Sequence, residues 1–395
     1  MTPFGYTVLG FGSGGEGSIS QEIPLGSEVV AASSEAQYCR VAYDPINANK
    51  FVMAYQDEGN STYGTAVVGT VSGSSISFGT PVVFNSDGTT YVDIAFDQVT
   101  ANKIVCIYRD GGSTSPTEAG TAIVGTISGT SLSFGTEVMY DSACGNTKAM
   151  KVKFDPNNAN KCVIVYRPAL CAKGTAIVGT VSGTGISFGT PVDFWSTSSS
   201  DNDVSFDPNT ANKFVVTYKD SGNSSYGTGI VGTLSGTSIS FGTGVVFESA
   251  GIGDVNVVSD LNNANKYGIS YMDFGNSEYG TAIVATVSGT SISFGTPVVF
   301  ESAAMGNIGM SWDENLEKCI IVYEDKGNSD YGTVVIGTIS GTSISFASAI
   351  VIVSSDTNYI TCSFDPNTSG KFVCGYEDVD NSGYPTAILG QLSTA

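Results

Sequence analysis

Residues 203–246 read DVSFDPNTANKFVVTYKDSGNSSYGTGIVGTLSGTSISFGTGVV. The alternation of Asp203-Val204-Ser205-Phe206 predicts a short first strand with one buried face. Asp207-Pro208-Asn209-Thr210-Ala211-Asn212 predicts a turn, with proline at the second position of a type I turn and asparagine able to take positive φ. Lys213 to Tyr218 is rich in β-branched and aromatic residues and predicts a second strand. A polar loop, Asp220 to Ser225, leads to a third strand from Gly227 to Leu234. Gly236-Thr237 suits a two-residue type II′ hairpin, and a fourth strand follows from Ser238 to Val246. No stretch carries a helical period.

The same unit recurs along the chain. The glycine of its Tyr-Gly-Thr element falls at 64, 120, 174, 227, 280 and 332, in steps of 52 to 56 residues, and a seventh copy reads Tyr384-Pro385-Thr386. A lysine opens the second strand at Lys50, Lys103, Lys161, Lys213, Lys266, Lys318 and Lys371. An aspartate precedes each one: Asp44, Asp97, Asp155, Asp207, Asp260, Asp313 and Asp365. Four antiparallel strands in about 50 residues fit a propeller blade. The seventh copy ends after its third strand, and Gly17-Ser18-Ile19-Ser20 with Ser27-Glu28-Val29-Val30 mirrors the missing fourth. The expectation is therefore an all-β, seven-bladed β-propeller of four-stranded antiparallel blades, the last closed by an N-terminal strand so that no sheet edge is left at the seam. The blades are placed at about 36–86, 90–142, 148–196, 201–249, 254–302, 307–354, and 358–395 plus 16–31. The propeller domain is then 16–395, with a separate segment 1–15 before it. Two smaller packed β-domains are the rival arrangement. The recurrent Phe78, Phe134, Phe188, Phe241, Phe294 and Phe346, with the tyrosine ending each second strand, are expected to fill the gaps between blades, at ~1.5–3 kcal/mol per buried ring. The repeat aspartates read as turn formers, since an exposed Asp–Lys pair contributes little.

Composition narrows the chemistry. Hydrophobic residues make up 41% and charged residues 13%, too apolar for disorder, yet no apolar run reaches the ~18 residues of a membrane helix. Membrane insertion is not expected. A formal charge of −21 repels phosphate backbones, so no nucleic acid is expected either. Histidine is absent, which removes histidine bases, Ser-His-Asp triads and histidine-ligated metals. Gly10-x-Gly12-x-x-Gly15 lacks the strand and helix of a dinucleotide site. Acids occur in every unit without one pair standing out as acid and nucleophile, so the reading is non-enzymatic. No cofactor is expected, apart from a calcium ion at Asp378 and Asp380, whose carboxylates are close in sequence but lack a full twelve-residue loop.

One sector breaks the pattern. Repeat three replaces the polar loop with Arg167-Pro168-Ala169-Leu170-Cys171-Ala172-Lys173, its entry connection runs Asp141 to Lys148, and repeat two has the longest second loop. Arg109, Lys148, Lys151, Arg167 and Lys173 gather there and are the candidate binding residues. They fall on the face of second-to-third loops, otherwise acidic and longer-looped. Cys144 and Cys171 share that face, so the sequence allows a disulfide. The other six cysteines lie in strands and read as small buried apolar groups. The sparse cysteine usage and the start, which lacks a secretory pattern, point to synthesis in a reducing cytosol.

The leader Met1 to Gly12 is apolar, aromatic and glycine-rich. Phe4, Tyr6, Val8, Leu9 and Phe11 are expected to dock on a partner protein or across the propeller itself. The repeat element of residues 280–300, GTAIVATVSGTSISFGTPVVF, resembles the Gly/Ser/Thr-rich propeller repeats of structural proteins of tailed phages, marine ones especially, and Val8-Leu9-Gly10-Phe11-Gly12 resembles the N-termini of phage head or tail appendage proteins. The resemblance implies a virion component, assembled in the host cytoplasm, docked to other virion proteins through residues 1–15 and displaying a propeller toward a host-surface glycan or protein. The alternative is a soluble, lectin-like carbohydrate-binding propeller.

Overall fold

In the computed structural model, which describes residues 23–393, each repeat folds as its alternation demands. In the fourth, Ser199–Phe206 pairs antiparallel with Lys213–Asp220, and that strand with Tyr226–Ser235. The expected fourth strand is two pieces: Ser238–Phe241 and the start of Val245–Ser259 pair with the two halves of Tyr226–Ser235. The interruption has a steric reason. A Cβ on Gly242 would collide with the Thr290 carbonyl in the next repeat's hairpin, so the backbones touch there and the ladder yields. Gly236 takes φ 65° at the two-residue hairpin, as a type II′ turn requires.

Val82–Phe96, Val245–Ser259, Val298–Asp313 and Ile350–Phe364 each end one repeat and begin the next. The hydrogen-bonded paths therefore run through repeats, giving sheets of 16, 9 and 5 strands. The breaks fall after Val29–Val30, after Val138–Met139 and after Val192–Trp195, so the irregular third repeat stands as its own sheet. At the seam, Val29 pairs with Ala387 and Val30 with Thr386, while the Gly26 amide donates to the Leu389 carbonyl at 2.8 Å. The N-terminal segment thus extends the last sheet. Ile19 and the docking candidates Phe4, Tyr6, Val8, Leu9 and Phe11 lie outside the described residues.

The first strands of successive repeats lie side by side, and a hydrogen bond or ion pair crosses every step. Arg40 faces Asp93, and the Val152 amide donates to Asp93. Asn202 donates to the Ala149 carbonyl, and the Val257 amide to Asp203. Asn256 donates to the Ile308 carbonyl, and the Phe364 amide to Ser311. The Tyr43 amide then donates to Ser363, which returns the series to the first repeat. Around these strands apolar side chains interlock between neighbours: Phe247 lies 5.3 Å from Tyr271 and 5.4 Å from Phe294 of the following repeat. The recurrent rings pack between repeats as expected.

The repeat aspartates do more than form turns. Asp207 accepts the Asn209 amide at 2.9 Å and, with its other oxygen, the Asn265 amide of the next repeat at 2.7 Å. Asp97 does the same for Val99 and Asn160. Four of the seven repeat lysines turn to threonine rather than to these acids: Lys103, Lys161, Lys213 and Lys318 reach Thr126, Thr180, Thr233 and Thr338 at 2.7–2.8 Å. Among the described residues no helix is long and apolar enough to cross a membrane.

Candidate functional site at the channel mouth

The first strand of every repeat carries a β-bulge three residues into its pairing, and one residue there takes a left-handed conformation. These are Tyr38, Tyr91, Ala149, Asp201, Asp254, Asn307 and Tyr359, with φ between 42° and 55°. None is glycine, so the conformation costs about 1–2 kcal/mol at each tyrosine and at Ala149, while aspartate and asparagine adopt it more readily. Bulges re-aim side chains and cluster beside functional sites. Here all seven line one cavity of 210 Å³ on the axis, on the side of the second-to-third loops. A larger cavity of 590 Å³ opens toward the aspartate turns, and Arg40, Lys151 and Asn256 line both, marking the waist between them.

The mouth is chemically lopsided. Tyr359, Tyr38 and Tyr91 form a continuous half-buried aromatic arc, with ring centroids 5.0 Å and 5.3 Å apart. Burial and neighbouring Tyr38 push the Tyr359 phenol up to about 12, and burial likewise raises that of Tyr38. Ala149 leaves a gap, and Asp201, Asp254 and Asn307 complete the circle. Burial, then the Asp201 carboxylate, pushes Asp254 above the usual carboxylate range.

The residue after the tyrosine of each second strand backs this ring. The Arg109 guanidinium lies 5.0 Å over Tyr91, within cation–π range, and donates to Thr90 and Asn146. Lys219 approaches Asp201 at 3.5 Å, and Asn307 donates to Glu324 at 2.6 Å. Glu377 occupies the corresponding place beside Tyr359. Burial, then Glu35, Asp356 and Glu58, pushes it up to about 7.

The residues expected from sequence are dispersed over this frame. Arg109 belongs to the mouth. Lys148 pairs in register with Arg167, a like-charge cross-strand pair, and Lys173 reaches outward to Asp193 at 2.7 Å. Lys151 lies within Thr147–Phe154, where the bulge after Lys148 turns it into the channel waist. Cys144 and Cys171 are joined as a disulfide, with Cα atoms 5.8 Å apart. Cys39, Cys106, Cys162, Cys319 and Cys374 are buried, while Cys362 is half-buried and lines the larger cavity. Asp378 accepts from Ser355, and Asp380 from the Asp356 amide. Among the described residues no three acids or thiols come together as metal ligands. Sequence reading passed over the tyrosine arc. The available signal was an aromatic at the same place in three first strands, 38, 91 and 359.

No family model matches the chain, and no curated protein matches it significantly. Solved structures do, and they show the fold: antiparallel sheets arranged as a β-propeller. BP39L lectin from Burkholderia pseudomallei superposes with a TM-score of 0.69 at 10% identity, over 92% of this chain and 97% of its own. Sqt1 from Chaetomium thermophilum gives 0.56 at 9% identity, over 91% and 83%. AofleA from Arthrobotrys oligospora gives 0.52 at 10%, over 85% and 93%. None of the three is named as a virion protein.

Proposed function

We propose that this chain is a non-enzymatic, carbohydrate-binding β-propeller of seven blades, closed by residues of about 16–31 and taking a glycan at the lopsided channel mouth. The observation that carries the reading is the arc of Tyr359, Tyr38 and Tyr91 facing Asp201, Asp254 and Asn307. An apolar ring wall opposite a few fixed polar groups is the composition of a small-molecule site, and it suits a sugar, whose faces are apolar and whose edge hydroxyls seek carboxylates and amides. The strand-by-strand contacts around the axis and the pairing of Val29–Val30 support the blade count. The likeness to a lectin over nearly its whole length supports the functional class. Asp201 and Asp254 read as binding groups because Asp201 faces Lys219 and Asp254 accepts the Asn307 amide. The virion assignment rests on the sequence resemblance alone.

A glycan array tests the proposal, run with calcium and with chelator, on the full chain and on Tyr38→Ala and Tyr91→Ala. The reading requires a glycan signal that each substitution weakens at least tenfold, about 1.4 kcal/mol. A signal untouched by both substitutions moves the site away from the mouth. An array blank in both conditions ends the carbohydrate reading. Release of reducing sugar from any glycan bound overturns the non-enzymatic part.

A further inference from the structure

The waist of the channel holds a charge arrangement that the glycan reading does not use. Arg40 from the first repeat and Lys151 from the third line both cavities, and Lys153 lines the larger one. Two acids share this stretch, Asp93 and Asp203, and both are already engaged by main-chain amides. Asp93 accepts from Val152, and Asp203 accepts from Val204 and Val257. The cations are less well served. Arg40 approaches Asp93 only at 3.9 Å, and its Nε is buried without a hydrogen-bond partner. Lys151 Nζ has no hydrogen bond or ion pair among the described residues. A chain of formal charge −21 thus gathers three cations on its own axis, beside Asp93 and Asp203 of the waist and Asp201 and Asp254 of the mouth. Arg40 donates through its other end to the Cys39 carbonyl, but its buried Nε without a partner is costly, and an anion between Arg40 and the half-buried Lys151 relieves that cost.

The route to the waist is also formed. Ala149, the smallest residue of the mouth ring, stands two positions before Lys151 and lines the same cavity. Lys148 and Arg167 pair beside the gap, and the Arg167 Nε is likewise buried without a partner. Cations therefore flank an opening that leads to cations. Of the acids of the larger rim, Asp313 accepts the amides of Asn315 and Gly370, while Asp365 accepts that of Asn367 on one oxygen and keeps the other buried without a partner.

We propose that the waist is a binding site for a small oxyanion, held between Arg40 and Lys151 and reached through the gap at Ala149. The chemistry is that of a carboxylate, phosphate or sulfate group, free or carried on an acidic sugar. Burial and the nearby Arg40 hold Lys151 below the usual lysine range, and a bound anion reverses that shift.

Isothermal titration of the full chain at constant ionic strength, with sodium phosphate, sodium sulfate, glucuronate and glucose in separate arms, tests the site. At least one of the three anions is expected to bind with 1:1 stoichiometry while glucose gives no heat from this site. Lys151→Met and Arg40→Gln should each weaken that binding at least tenfold. Glucuronate binding without phosphate or sulfate binding assigns the site to an acidic sugar; phosphate or sulfate binding assigns it to a free ion. Crystals of the unsubstituted protein soaked in selenate supply a readout independent of whether the variants fold, with the anomalous peak expected between Arg40 and Lys151. Absence of binding by all three anions at 10-millimolar order, or a selenate peak only elsewhere, overturns the proposal. Neither result bears on the tyrosine arc, which the array tests separately.

Discussion

The two ends of each first strand differ in a telling way. At the aspartate-turn end all repeats use one solution: a buried carboxylate closes its own turn and, in several repeats, reaches the amide of the next, as Asp97 and Asp207 do. At the mouth end all repeats share one backbone deviation, yet the residue placed there is tyrosine, alanine, aspartate or asparagine. Uniform side chains on a uniform backbone mark a frame. Varied side chains on a uniform, costly backbone mark a surface shaped for something other than the frame. The difference supports the proposed site at the mouth without appeal to any relative.

The sharpest way to break this comparison is to attack the frame. Asp207 is 1% exposed and holds two main-chain amides, each a charge-assisted bond of about 1.5–3 kcal/mol. Asp207→Ala should lower unfolding stability by about 3–5 kcal/mol in urea titration, while ligand binding below the melting transition stays unchanged. A loss under about 1 kcal/mol would mean that the turns decorate a ring held by other contacts.

The irregular sector gives the next effect. Cys144 and Cys171 are separated by 27 positions, and closing a loop of that size is worth about 3 kcal/mol on the chain-entropy account. Reduction, or Cys144→Ser with Cys171→Ser, should lower stability by about that much. It should also raise hydrogen exchange chiefly in residues 141–173. Even exchange around the ring would show that the third repeat, though a separate sheet, is not separately fastened.

Glu377 tests the acidic rim. Its pKa is raised from 4.5 to about 7, so between those values the folded chain holds more proton than the unfolded one. Stability therefore falls as pH rises through that window and is level above it. Solvent screening leaves on the order of 1 kcal/mol. Glu377→Gln should remove that decline, and melting temperatures at pH 5 and pH 8 should then converge relative to the unsubstituted chain.

The frame was legible in the sequence because strand alternation, turn chemistry and spacing repeat together, and Asn49, Asn102, Asn160, Asn212 and Asn265 take positive φ at the turns as read. The split of the fourth strand was not legible, since it arises from a glycine meeting the backbone of another repeat. The bulge was hidden for a related reason. Left-handed residues announce themselves as glycine or asparagine, and Tyr38, Tyr91 and Tyr359 do not. Missing the bulge left the inward aim of Lys151 unread, because one extra residue reverses which side chains face the axis. Arg109 was found through its departure from the repeat, but its role beside Tyr91 depends on the bulge next to its own strand partner Thr90. The cytosolic and calcium expectations find no further argument in the fold.

The smallest effect sharpens the comparison most finely. Ala149 has φ 49° and carries no ring or charge whose loss would confuse the outcome. Relief of a left-handed L-residue yields about 1–2 kcal/mol, and the added freedom of glycine in the unfolded chain removes about 0.4–1. Ala149→Gly should therefore stabilise by about 0.5–1 kcal/mol and leave the tyrosine arc intact. Asp207→Gly, at the other end of a first strand, should destabilise as strongly as the alanine variant. If Ala149→Gly destabilises instead, the bulge is not a strained device held by its neighbours, and the mouth loses its claim to be the place where the fold departs from economy for the sake of a ligand.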